Sequence, residues 1–216
     1  MSSYLIIRGT IMQIQAKGIY EQVSKQKSEG ATYTPPLLAD FVSKEIVRAA
    51  ALPLQAEIKI FDPAVGDGQL LDSLLERLSN NRLKNNQILH VYGYDIDKKA
   101  LNIAQKRLSS KYQDVIIDLK CEDFLSHIVE NYDKIDQRNL FHTGSDLKYD
   151  LIIANPPYVR TQIMGAEKSK KLAREFSLNG RVDLYHAFLI GISQVLNPNG
   201  VAGIIVSNRF MTTKSG

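Results

Sequence analysis

The sequence predicts an α/β fold: a mostly parallel sheet with helices packed on both faces. Two observations predict it. Five short apolar runs rich in β-branched residues read as buried strands, each bounded by turn or charged residues. Four amphipathic segments precede, separate or follow them, and strands alternating with helices build βαβ units.

The elements follow in order. LLADFVSKEIVRAA (37–50) is an amphipathic helix that precedes the first strand, IKIF (58–61). QLLDSLLERLSNN (69–81) is the helix after it. HVYGY (90–94) is the second strand and KKALNIAQKRLSS (98–110) its helix. VIIDL (115–119) and DLIIA (150–154) are the third and fourth strands. The polar stretch 131–149 between them reads as a loop, and so does the basic stretch 161–181. DLYHAFLIGISQVL (183–196) is a helix stopped by the Pro/Gly break NPNG (197–200), and VAGIIV (201–206) is the fifth strand.

Length and composition narrow the function classes. A chain of 216 residues with 44% hydrophobic content is one ordinary globular domain with a full core. No stretch approaches a membrane span, and the opening MSSYLIIRGTIMQIQ has no long apolar core or small-residue cleavage site. The single Cys121 excludes an internal disulfide framework and fits a reducing cytoplasm. Four scattered histidines and one cysteine offer no metal-ligand cluster. A net charge of +4 and a pI of about 9.0 are compatible with a polyanionic partner.

A doubly wound sheet binds ligands beyond the carboxyl ends of its strands. The first strand ends in FDPAVGDGQLL (61–71), where Gly66 and Gly68 allow a tight turn and close backbone approach. The loop is neither a dinucleotide fingerprint, since position 71 is leucine, nor a phosphate loop, since no Gly-Lys-Ser/Thr follows. Asp62 would repel a phosphate and attract a cation. The second strand ends in GYDIDKKAL (93–101), where Asp95 is placed to take ribose hydroxyls and Asp97 to cap the next helix. The third ends in CEDFL (121–125). There Asp123 accepts from an amino-purine while Phe124 or its backbone packs the ring; taken singly, Asp123 is more often a helix N-cap. Together these describe a pocket for a nucleoside carrying a positive charge, with no phosphate grip. S-adenosylmethionine fits it, and no metal is required.

The fourth strand ends in Asn155-Pro156-Pro157-Tyr158. Proline fixes φ and has no N–H, so the pair stiffens the backbone. The Asn155 side-chain oxygen and the Pro156 carbonyl are placed to accept both hydrogens of one exocyclic amine. That arrangement frees the nitrogen lone pair from the ring and points it at a methyl group. Tyr158 offers a stacking face, worth about 1–3 kcal/mol for a base on an aromatic.

These motifs, with TYTPPLLADFVSKEI (32–46) before them and GRVDLYHAFLIGISQVLNPNGVAGIIVSNRF (180–210) after, resemble the S-adenosylmethionine-dependent amino-methyltransferases. Within them, the chain resembles the γ-class DNA adenine-N6 methyltransferases of restriction–modification systems. The NPPY tetrapeptide is shared with protein-glutamine and RNA methyltransferases; the TPxxLADF segment favours DNA. The resemblance implies a Rossmann-like class I methyltransferase fold over 32–216, with 1–31 as an N-terminal extension. It implies that Tyr33, Thr34 and Pro35 contact the methionine end of the cofactor, and that Asp62, Ala64 and Gly66 line the methionine and sulfonium. It places Asp95 and Ile96 on the ribose and adenine, Asp123 and Phe124 on the cofactor adenine, Asn155 also in contact with the cofactor, and Asn155, Pro156, Pro157 and Tyr158 on a flipped adenine of double-stranded DNA. Expected partners are a restriction endonuclease, a specificity subunit or a fused domain. The remaining alternatives are a protein-glutamine or RNA-base acceptor, and a non-catalytic cofactor-binding subunit. Family members carry two more strands and a target-recognition domain after the fifth strand. Their absence here predicts a catalytic domain cut from a longer protein, with VAGIIV near a sheet edge.

Overall fold

The computed structural model describes residues 2–8, 10–14, 34–50, 57–82, 87–128, 148–157 and 184–207. Its elements are β1 (Ser2–Arg8), β2 (Thr10–Ile14), α1 (Pro36–Ala49), β3 (Glu57–Asp62), α2 (Gln69–Arg82), β4 (Ile88–Tyr94), α3 (Lys98–Lys111), β5 (Val115–Lys120), β6 (Tyr149–Ala154), α4 (Leu184–Val195) and β7 (Leu196–Ser207). A further helical turn covers 124–128. The seven strands form one sheet in the order β2-β1-β7-β6-β3-β4-β5. All neighbours from β7 to β5 are parallel, while β1 runs antiparallel to both β2 and β7.

The two faces have separate cores. On one, α1, α2 and α3 bury Leu38, Val42, Ile46, Leu71, Leu74 and Leu101 against Ile58, Ile60, Leu151 and Ile153. Their spacing along each helix supplies the apolar stripe. Gly203 lets α1 lie directly on β7, since a Cβ there would sit 2.6 Å from Ile46 Cδ1. On the other face, α4 and the 124–128 turn cover an aromatic cluster. Phe61 stacks on Tyr149 at 4.3 Å, and Phe124 packs on Phe61 and Phe188. β6 is buried on both faces for its last four residues, which explains why LIIA does not alternate.

Local chemistry sets the helix starts. Proline opens α1, and the Pro35 carbonyl accepts from Leu38 and Ala39 N–H. Asp97 caps α3, accepting from Lys99 and Ala100 N–H, as its position after the second strand predicts.

Two expectations change. The strand carrying VAGIIV is not an edge: β1 pairs along it from Ser2↔Ser207 to Arg8↔Val201. Its polar groups on that side are met by a segment almost two hundred residues away in sequence, which no local pattern could reveal. NPNG also does more than stop α4. β7 already pairs at Leu196 with Tyr149, the register then shifts, and Asn197 donates to Asp150 Oδ1 at 2.6 Å within the irregularity.

Candidate active site

The carboxyl ends of β3, β4, β5 and β6 gather the charged and polar residues. Asp62 ends β3 with no exposed surface. Its Oδ1 accepts from Ala64 N–H at 2.9 Å, and its Oδ2 is buried without a partner. Burial pushes its carboxyl up to about 8; the Ala64 N–H opposes the shift and the Asp95 charge adds to it. The loop then turns through Gly66 at φ 54° and Gly68 at φ 81°, both in the left-handed region that favours glycine. A Cβ on Gly68 would meet Ala104 at 2.9 Å, whereas one on Gly66 would enter open space.

Asp95, just past β4, is tied into this loop. Its Oδ2 accepts from Gly66 N–H at 2.7 Å and its Oδ1 from Asp97 N–H at 2.8 Å. Each oxygen keeps a second lone pair for a ligand. Ile96 beside it is 77% exposed, an apolar face with no protein cover. Asp123 caps the 124–128 turn: Oδ1 accepts from Leu125 N–H at 3.2 Å and Oδ2 from Ser126 Oγ at 2.9 Å. The Phe124 ring packs in the aromatic core, and the residue as a whole is 2% exposed.

Asn155 follows β6, whose neighbour is β3. Its Nδ2 donates to Thr34 Oγ1 at 3.0 Å, and its Oδ1 is buried without a partner. Thr34 is buried and Pro35 half-buried, immediately before α1; Pro156 is buried and Pro157 exposed. Sequence reasoning placed Thr34 on the cofactor and did not foresee its bond to Asn155. The two lie 121 positions apart, so no spacing signals the contact. Tyr33, Tyr158 and the basic residues Lys168, Lys170, Lys171 and Arg174 lie outside the described residues.

The site can do two things. The unpartnered Asp62 oxygen suits a cation, because a buried acceptor without a donor costs about 1–3 kcal/mol that a positively charged ligand recovers. The unpartnered Asn155 oxygen suits an N–H donor. Open space above Gly66 leaves room for a ligand against the loop. These features fit S-adenosylmethionine. Among the described residues no cluster of His, Cys, Asp or Glu is arranged for a metal.

A family model described as Eco57I restriction-modification methylase matches residues 89–216. The chain belongs to that family. The Eco57I methylase match takes in Asp95, the NPPY segment, α4 and β7. The chain is 40% identical over 208 residues to the type II methyltransferase M.BanIII of Aneurinibacillus aneurinilyticus, covering 92% of this chain and 34% of that protein. It is 25% identical over 161 residues to the tRNA1(Val) (adenine(37)-N6)-methyltransferase of Bacteroides fragilis strain YCH46, covering 74% and 57%. It spans about a third of the first relative and little more than half of the second. The solved type IIG restriction endonuclease BpuSI shares the fold, with a TM-score of 0.55 and 19% identity over 80% of this chain and 19% of that one. The class I fold expected from the motifs, and the S-adenosylmethionine-dependent methyltransferase assignment, both stand with the Eco57I methylase family.

Proposed function

We propose that residues 32–216 are the catalytic domain of a DNA adenine-N6 methyltransferase of a restriction–modification system, a cytoplasmic enzyme that uses S-adenosylmethionine. The reading rests on one observation: two buried, unpartnered oxygens, Asp62 Oδ2 and Asn155 Oδ1, at the ends of adjacent strands. One suits the cationic cofactor and the other suits the target amine. Membership in the Eco57I family supports methyl transfer in restriction–modification. The tRNA relative, named for adenine N6, supports the exocyclic amine as acceptor.

Each residue then has a role. Tyr33, Thr34 and Pro35 hold the methionine end, and Asp62, Ala64 and Gly66 line it. Asp95 uses its spare lone pairs for the ribose, and Ile96 covers one face of the cofactor adenine. Asp123 and the Phe124 backbone recognise the adenine edge. Bound S-adenosylmethionine supplies an electrophilic methyl group on a good leaving group. Asn155 Oδ1 and the Pro156 carbonyl take the two amine hydrogens of the target. They turn the nitrogen lone pair out of ring conjugation and toward the methyl. Pro156 and Pro157 keep those acceptors from relaxing, so the work is positioning and electrostatics. Tyr158 stacks on the flipped base, offsetting part of the few kcal/mol that unstacking costs. Recognition of a DNA sequence falls to other parts of a longer protein or to a partner specificity subunit or nuclease.

A second reading, an RNA amine as acceptor, is favoured by the tRNA methyltransferase relative. Transfer of tritiated methyl from S-adenosylmethionine to duplex DNA and to tRNA, by the protein from the whole gene, separates the two. Label in DNA adenine is expected. Label in tRNA alone overturns the DNA reading.

A further inference from the structure

We propose that Thr34 is a positioning residue: its hydroxyl sets which way the Asn155 amide points, and cofactor occupancy locks that choice. The inference deepens the proposed function and rests on it for the identity of the target amine. An asparagine amide carries a carbonyl and an NH2 of nearly equal shape, so a half-turn exchanges acceptor for donor. Only the carbonyl can hold an amine hydrogen. An NH2 in its place sets donor against donor and leaves the lone pair of the target in its ring.

The geometry makes the choice through Thr34. Asn155 Nδ2 donates to Thr34 Oγ1 at 3.0 Å, so Oδ1 faces away, buried and unpartnered. A hydroxyl both donates and accepts, and by itself would take either face of the amide. The Thr34 proton decides between them. Among the described residues Thr34 Oγ1 accepts from Asn155 and donates to no acceptor. A cofactor carboxylate at the methionine end of the site would take that proton. With the proton committed, Thr34 Oγ1 is an acceptor only, and the Asn155 NH2 must face it. The amide is then fully set for the target amine only when cofactor is bound. The hydroxyl is well anchored for this task. Thr34 is 8% exposed, and the carbonyl of the next residue, Pro35, accepts from Leu38 and Ala39 N–H in the first turn of α1.

The test compares Thr34→Ser, which keeps the hydroxyl, with Thr34→Val, which keeps the shape and loses it. In the protein from the whole gene, kcat at saturating S-adenosylmethionine should fall about 10²-fold for Thr34→Val, the usual scale for a mis-set catalytic group. Thr34→Ser should restore most of the rate. A Thr34→Val defect that disappears at saturating cofactor would mean that Thr34 only binds cofactor, and would overturn the proposal. A second readout needs no turnover. In the 216-residue chain, the side-chain amide signals of Asn155 are identified by their loss in Asn155→Ala. They should shift and become slower to exchange on adding S-adenosylhomocysteine, and should not respond in Thr34→Val. Signals that respond alike in both overturn the proposal. If the wild-type protein methylates no adenine yet the amide signals behave as described, the positioning role of Thr34 stands and the assigned acceptor falls.

Discussion

The Gly66 N–H donates to Asp95 Oδ2 at 2.7 Å, so the loop after β3 and the end of β4 form one unit. The same carboxylate holds Asp97 N–H, and Asp97 in turn caps α3. Asp95 therefore shapes the site as well as lining it. Asp95→Ala should weaken S-adenosylmethionine binding by about 1–3 kcal/mol and also lower the melting temperature, because two backbone donors lose their acceptor. Calorimetry and thermal melts on the same variant check both. Weakened binding with an unchanged melt would mean that the loop is held by other contacts.

Asp62 links the site to pH. Its carboxyl sits at about 8 in the folded chain against 3.8 for the free side chain. Folding therefore takes up a proton between those values. The contribution of Asp62 to stability is complete below about pH 4 and is lost as pH rises through about 8. Asp62→Asn should flatten the fall of stability with pH across that window. A cationic ligand favours the carboxylate, so cofactor binding near neutral pH should release a proton. Titration calorimetry in two buffers of different ionisation enthalpy reads it directly. Equal heats in both buffers would contradict the placement of a cation at Asp62.

The two loop glycines should fail differently. Gly68→Ala brings a Cβ within 2.9 Å of Ala104 Cβ at φ 81°, which combines the left-handed cost of about 1–2 kcal/mol with a helix-to-loop clash. Gly66→Ala carries only the first penalty, since its Cβ enters open space, but that space is where the proposed pocket would take the cofactor. Denaturant melts should rank Gly68→Ala as less stable. Cofactor titration of the folded fraction should show the loss for Gly66→Ala.

What the sequence revealed and what it hid divide along physical lines. IKIF, HVYGY, VIIDL, DLIIA and VAGIIV are apolar runs with turn residues at their ends, and they became β3 to β7 within a few residues. Asp97 read as a cap because capping is local. The β1–β2 pair stayed hidden because its partner, β7, lies at the far end of the chain. Phe124 was expected to meet a ligand beside Asp123 through its ring or its backbone. The 124–128 turn instead packs the ring against Gly191 and Phe188, a contact decided by α4. At the site, Asp62, Gly66, Asp95 and Asn155 were visible as strand-end residues. The bond that orients Asn155 was not, since Thr34 reaches it only through the fold.

Expression of the whole gene in a host without adenine methylation, followed by digestion of its DNA to nucleosides, tests the central claim most directly. N6-methyldeoxyadenosine should appear with the wild-type gene. It should vanish with Asn155→Ala, which removes the buried Oδ1 acceptor while leaving cofactor affinity within a few-fold. Wild-type protein that binds S-adenosylmethionine yet leaves no N6-methyldeoxyadenosine in DNA, or an Asn155→Ala variant that still produces it, would contradict the account.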